Sequence, residues 1–392
     1  MHLPSRLATT LVLLTALVTG GCSDDAEGSG GSGGSGAGPA IPAPGTLEIV
    51  EPGAPTICSR GTPFRFAAAG GDPKKLVIDF QGGGACWNAF TCSIADAIFT
   101  AEAPSAAELQ ARFEGKQYRG IYQLDDASNP VAGWTLIHIP YCTGDVHWGD
   151  ATVEYSADVT IRHNGFTNAQ TVLAWVYERY QPEEILVTGC SAGAYGAIGH
   201  AAFIAKQYPD AKLRLVADSG CGIVSESFFK ESFPSWNAQL PTFVTGLAGK
   251  DILTLDIVEL YTAIAADFPN ARFAQQTTAF DKDQTGYYTA MGGAEADWSP
   301  KMLQSLADIS AGTPNFRYYL SPGPVHCLHP YDLFYGRESA GTKYTDWLSS
   351  FIGGPEAPAT VACQGAACSE DAFCSACLAG TSQDAACKWC SD

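Results

Sequence analysis

Positive charge is scarce in this chain: 22 Lys and Arg stand against 41 Asp and Glu, a formal net charge of −19. Affinity for a phosphate backbone depends on clustered cations, so nucleic acid is excluded as a partner. Polyanionic substrates are disfavoured for the same reason. Long apolar runs are missing as well. The stretch Leu7 to Val18 falls short of the roughly 20 residues that cross a bilayer, which argues against a membrane-spanning helix. No internal repeat is visible, so repeat architectures are set aside. What remains is long enough for one large core.

The N-terminus has a different logic. Arg6, the apolar stretch Leu7 to Val18 and Thr19-Gly20-Gly21-Cys22 form a charged region, a hydrophobic region and a small-residue cleavage site, the pattern of a secretory signal. Because that site ends in Cys22, residues 1–22 are expected to be a bacterial lipoprotein signal. Cys22 would then be lipidated and hold the protein to a membrane of the cell envelope; the alternative is an ordinary signal cut nearby and a secreted protein. Residues 23–45 are rich in Gly, Ser, Ala and Pro, cannot bury enough surface to fold, and read as a flexible tether.

Fourteen cysteines fit an oxidising compartment. Apart from Cys22, seven lie in the body (Cys58, Cys86, Cys92, Cys142, Cys190, Cys221, Cys327) and six at the end (Cys363, Cys368, Cys374, Cys377, Cys387, Cys390). Seven is odd, so at least one body cysteine is free or pairs outside the set, and Cys190 is the candidate for the unpaired one. The terminal six follow Gly353-Gly354-Pro355. Residues 46–355 are therefore expected to be the main domain and 356–392 a small disulfide module. Two C-x-x-C pairs there also have zinc-site form, but export favours oxidation and no metal is expected. The spacing does not choose among the possible connectivities.

Along the body, strand and helix alternate. Strands are expected at Lys75 to Phe80, Trp134 to Pro140, Ile185 to Thr188, Leu213 to Ala217, Ala271 to Gln276 and Phe316 to Leu320. Helices are expected from Phe166 to Tyr180, Ala192 to about Tyr208, around Pro300 to Ile309, and Lys343 to Phe351. That order predicts an α/β protein, a mostly parallel sheet with helices on both faces. The Phe- and Trp-rich stretch beyond Cys221 suits a cap over a site or an enlarged core.

The most informative five residues are Gly189-Cys190-Ser191-Ala192-Gly193. They sit between an apolar strand and a small-residue helix, which is the setting of a nucleophile elbow, G-x-S-x-G. Gly30-Gly31-Ser32-Gly33-Gly34 satisfies the same pattern but has only linker around it. In an α/β-hydrolase the triad follows in the order serine, acid, histidine. His326 comes first off the last main strand, with His329 its rival. Asp281 follows the strand before it, with Asp283 and Asp218 as competitors; Asp218 reads as a structural hydrogen-bonding residue. His138, inside a strand, reads as a satisfied core residue. A neutral His326 acting as base would titrate near the ordinary value of about 6.5. Ala192 and the loop Gly82-Gly83-Gly84 are placed to offer N–H groups to an oxyanion.

Gln81 to Asn88, Ile139 to Asp145, Gly189 to Gly193, Ala217 to Gly220, Phe280-Asp281 and His326-Cys327 together resemble the successive motifs of the pectin acetylesterase and Notum carboxylesterase family. The resemblance spans roughly Leu47 to Phe351. It implies an α/β-hydrolase serine esterase with Ser191, Asp281 and His326 as triad, Gly83, Gly84 and Ala192 as oxyanion donors, and no cofactor. Three features depart from the pattern: Gln81 replaces a usual acid, Gly84 stands where Notum has tryptophan, and the cysteine-rich tail lies outside it. The expected activity is hydrolysis of an acyl ester, acetyl above all, on an extracellular substrate such as a polysaccharide. The alternatives are a lipase or thioesterase acting on a longer acyl group, and a non-catalytic surface-binding protein on a hydrolase scaffold.

Overall fold

The computed structural model describes residues 39–391, and from Pro39 onward the chain forms one compact body. The expected signal, Cys22 and the first part of the tether lie outside the described residues. Nine strands form one sheet: β1 (Leu47–Val50), β2 (Phe66–Ala69), β3 (Asp72–Phe80), β4 (Trp134–Ile139), β5 (Glu184–Cys190), β6 (Lys212–Asp218), β7 (Arg272–Thr278), β8 (Phe316–Ser321) and β9 (Val361–Ala362). Their order is β1-β2-β4-β3-β5-β6-β7-β8-β9. β2 runs antiparallel to both β1 and β4, and every other pairing is parallel.

Side chains alternate across a strand, so a sheet covered on both faces needs apolar residues at consecutive positions. β5 shows this directly. Ile185 and Val187 join one core with Leu76, Ile78 and Leu215, while Leu186 joins another with Val77 and Val216. The helices α1 (Gly165–Arg179), α2 (Ala192–Gln207), α3 (Ile257–Asp267) and α5 (Trp298–Gly312) fill the first core. α6 (Tyr344–Gly353) fills the second through Tyr344, Trp347, Leu348 and Phe351. Two shorter helices, α4 (Lys282–Ala290) and α7 (Ala372–Leu378), lie near the ends of β7 and β9. This is the expected α/β architecture.

Register positions the site. Phe80 of β3 pairs with Gly189, Cys190 pairs with Asp218, and Thr278 pairs with Ser321. The C-terminal ends of β3, β5, β6, β7 and β8 therefore emerge along one edge of the sheet, where open α/β sheets place their ligands.

Two differences from the sequence reading stand out. The expected parallel strands appear, but β1, β2, β9 and the hairpin Ala151–Ser156 with Val159–His163 were not expected. Cys190 is not the unpaired cysteine; it bonds Cys327, and the free thiol is the buried Cys221. The physical reason is the register just given: the ends of β5 and of the loop after β8 lie side by side, with a Cα separation of 5.8 Å. The other body pairs are Cys58–Cys142 and Cys86–Cys92. The terminal six pair as Cys363–Cys368, Cys374–Cys390 and Cys377–Cys387.

Candidate active site

Ser191 stands between the end of β5 and the start of α2 with φ 59° and ψ −122°. A non-glycine residue is strained there by roughly 1–3 kcal/mol, and such strain persists only where the surroundings over-determine it. The surroundings are tight. A Cβ on Gly189 or Gly193 would collide with the carbonyl oxygen of Phe80, and the Ser191 N–H donates to the Asp218 carbonyl at 2.8 Å. Both glycines of the motif are thus required by backbone contact between β3, β5 and α2.

The loop after β3 backs onto the serine. A Cβ on Gly82 would meet the Cys190 carbonyl and come within 3.1 Å of the Ser191 Cβ. Gly84 has φ 71°, and the Gly83 carbonyl accepts from Thr100 N–H at 2.8 Å. Among the described residues the N–H groups of Gly83, Gly84 and Ala192 find no acceptor. Ala192 opens α2, whose first N–H groups have no partner within the helix. The three expected oxyanion donors therefore lie on the two segments that flank Ser191, with free N–H groups.

Asp281 is fully buried and caps α4: its Oδ1 accepts from Gln284 N at 2.9 Å and its Oδ2 from Gln284 Nε2 at 2.9 Å. The same carboxylate faces His326 Nδ1, at 3.0 and 2.9 Å. That leaves His326 Nε2 as the free nitrogen. It makes no hydrogen bond, and Asp283 Oδ2 lies 3.2 Å from it. Burial opposes the imidazolium, but the charges of Asp281 and Asp283 outweigh it and raise the His326 pKa to about 9. This differs from the ordinary histidine value expected from sequence, because two carboxylates face one ring.

His326 is tied to Ser191 from three sides. The Cys190–Cys327 disulfide joins the residue before the serine to the residue after the histidine. Asp218, whose carbonyl holds the Ser191 N–H, accepts from Leu328 N at 2.9 Å and His329 N at 2.8 Å through its side chain. Ser219 Oγ accepts from Cys327 N at 3.0 Å. Asp218 is thus the structural hydrogen-bonding residue expected, and burial raises its pKa to about 7.

The rival histidine is used elsewhere. Thr188 Oγ1 donates to the Val216 carbonyl, so it accepts from His329 Nδ1 at 3.0 Å, and His329 Nε2 accepts from Tyr344 O–H at 2.6 Å. Burial lowers its pKa to about 3. His138 lies between Asp79 Oδ2 at 2.6 Å and Tyr118 O–H at 3.2 Å, a satisfied core residue.

A cavity of about 870 Å³ opens beside Ser191 and Ala192. The aromatic stretch beyond Cys221 forms much of its wall, through Phe228, Phe229, Phe233 and Trp236, and Leu255 and Met291 continue the apolar surface. The stretch thus serves in both ways the sequence offered, as a cap over the site and as an extension of the core, which Phe228, Phe233 and Trp236 also join. Cys190, His326 and Cys327 cluster at metal-ligand distances, but both sulfurs are in a disulfide and have no thiolate to offer.

Residues 49–238 match the family model described as pectinacetylesterase. Among solved structures, the Wnt deacylase Notum from Drosophila aligns with a TM-score of 0.59 at 14% identity, covering 81% of this chain and 96% of that one. No curated protein matches the chain. The family-model match together with this fold supports a carboxylic ester hydrolase of the α/β class. The family it resembles in its motifs, that of the pectin acetylesterases and Notum, is the one these matches support.

Proposed function

We propose that this protein is an exported serine carboxylesterase in which Ser191 attacks the ester carbonyl, His326 is the general base and Asp281 orients it. The observation that carries this reading is the Asp281 carboxylate on His326 Nδ1, with Nε2 left free. In the first half-reaction His326 Nε2 takes the Ser191 proton as Oγ bonds the carbonyl carbon. The oxyanion is received by the N–H groups of Gly83, Gly84 and Ala192. Collapse expels the alcohol, which takes the proton from His326, and leaves an acyl-enzyme. Water repeats the sequence and releases the acid. His326 Nε2 makes no hydrogen bond to Ser191 in the resting site, and catalytic bonds of this kind commonly tighten only with substrate bound.

The extracellular substrate, a polysaccharide ester such as an acetylated glycan, follows from the family resemblance and the expected export. Tethering through Cys22 belongs to the same proposal. No helix among the described residues is long and apolar enough to cross a membrane, so fractionation of wild type against Cys22→Ser reads the tether directly: the variant should move from the detergent-soluble to the aqueous fraction, and an aqueous wild type contradicts anchoring.

A second reading of the acyl group is favoured by the cavity. Acetyl needs little room, whereas about 870 Å³ walled by Phe228, Phe229, Phe233 and Trp236 suits a longer acyl chain. A p-nitrophenyl ester series from acetate to palmitate, run beside acetylated xylan and pectin, tests both. A maximum at acetate supports the deacetylase; a rise with chain length, graded by a modest factor per methylene, supports the longer acyl group. Ser191→Ala with full activity on every ester would remove the serine mechanism itself.

A further inference from the structure

The cysteine-rich tail lies outside the stretch that matches the family, yet its contacts converge on the loop of the proposed base. β9 pairs with β8, and Cys363 N donates to the Leu320 carbonyl at 3.1 Å. Gly323 N donates to the Cys368 carbonyl at 2.9 Å. Asp371 forms a buried ion pair with Arg337 at 3.0 Å. Asp384 accepts from Leu333 N at 2.6 Å. Lys282, the neighbour of Asp281, reaches the Ser391 carbonyl. The contacted residues 320–337 bracket His326 on both sides.

At the centre of these contacts is Trp389. Its ring meets the His326 ring edge-on, with centroids 5.5 Å apart and planes at 74°. Its own position is held closely. The indole N–H donates to Tyr331 O–H at 3.4 Å, and the Lys388 amine sits 4.7 Å from the indole centroid. The disulfides Cys374–Cys390 and Cys377–Cys387 anchor the residue after it and the residue two before it to α7.

A base that shuttles a proton must keep Nδ1 on its carboxylate while Nε2 serves first the nucleophile and then the leaving group. Asp281 fixes one edge of the ring, and a packed neighbour restrains its rotation about that bond. A wall of indole does this. It also keeps water from the His326–Asp281 pair, where a lower local dielectric strengthens the attraction between imidazolium and carboxylate. We propose that Trp389 is a positioning residue for the catalytic histidine, and that the disulfide-rich tail is part of the esterase centre. The inference rests on the serine-esterase reading above.

The test uses the full chain and a short p-nitrophenyl ester. Trp389→Ala should lower kcat by about 10- to 100-fold, the scale of a small misplacement of a catalytic group, with KM unchanged. Trp389→Phe, which restores an aromatic wall, should recover most of the loss. Cys377→Ser with Cys387→Ser should lower kcat in the same sense. If Trp389→Ala does not fold, Trp389→Leu takes its place, with kcat between Phe and wild-type behaviour excluded: it should fall below Trp389→Phe. Wild-type kcat in the Ala or Leu variant, a change confined to KM, or a Phe variant no better than Ala overturns the proposal. Ser191→Ala run in parallel separates the two claims. An inactive Ser191→Ala beside a fully active Trp389→Ala sinks only the role of the tail, whereas an active Ser191→Ala sinks the serine mechanism.

Discussion

His326 is held between two carboxylates, and they do different work. Asp281 meets Nδ1 from a fully buried position and caps a helix at the same time, so its orientation is fixed. Asp283 lies on the Nε2 side, half-buried, at the wall of the cavity. Asp281→Asn should therefore lower kcat by up to roughly 10⁴-fold, the loss seen when a base is left in the wrong tautomer, while Asp283→Asn should keep most of the activity. The pH profile distinguishes them further. The proposed base works as the neutral ring, and His326 is raised to about 9 by the two acids against the opposing effect of burial. Activity should accordingly rise with pH through a limb well above 6.5. Removing the Asp283 charge destabilises the imidazolium, so Asp283→Asn should move that limb to lower pH. A limb that stays in place shows that Asp283 does not act on the ring, and one near 6.5 in the wild type contradicts the carboxylate pair. His329→Ala should leave the limb where it is, since its two nitrogens are spent on Thr188 and Tyr344.

At the level of elements, the six expected parallel strands were legible, most plainly where burial on both faces leaves a short apolar run, as Ile185 to Val187 does. β1 and β2 were not, because Leu47–Val50 and Phe66–Ala69 are only four residues long and carry too little pattern to register. β9 is shorter still, two residues recruited by pairing with β8, a tertiary event that no local signal announces. The site divides in the same way. Ser191 was readable because its chemistry and its backbone strain are written within five consecutive residues. The Cys190–Cys327 bond joins residues 137 apart, and Trp389 reaches His326 from the far end of the chain, so neither has a local signature. That disulfide ties the elbow to the histidine loop, and Cys190→Ser with Cys327→Ser should cost about 2–5 kcal/mol of stability, the usual range for a native bridge. A denaturant midpoint equal to the wild type's would show that the Asp218 and Ser219 hydrogen bonds hold the loop unaided.

Across the whole molecule, the net charge of −19 sets which substrates approach. Of the cations available to offset it, Lys116 pairs with Asp125 at 2.7 Å and Arg119 with Asp332 at 2.8 Å. The cavity wall instead carries Lys230 and Lys301 among the acids Glu226, Asp256, Asp283 and Asp297. A polyuronate is therefore repelled, and repulsion between exposed charges is screened over about 8–10 Å at moderate salt. Acetate release from pectin should rise with ionic strength while release from neutral acetylated xylan stays level; the opposite order would mean that charge does not govern access. Both outcomes presuppose the serine mechanism, and covalent labelling tests that most directly. Treated with a fluorophosphonate, the protein should gain one phosphonyl group, located at Ser191 by peptide mass analysis, with hydrolysis lost in proportion, and Ser191→Ala should take up no label. Labelling at another residue, or full hydrolysis after stoichiometric modification of Ser191, would contradict the account.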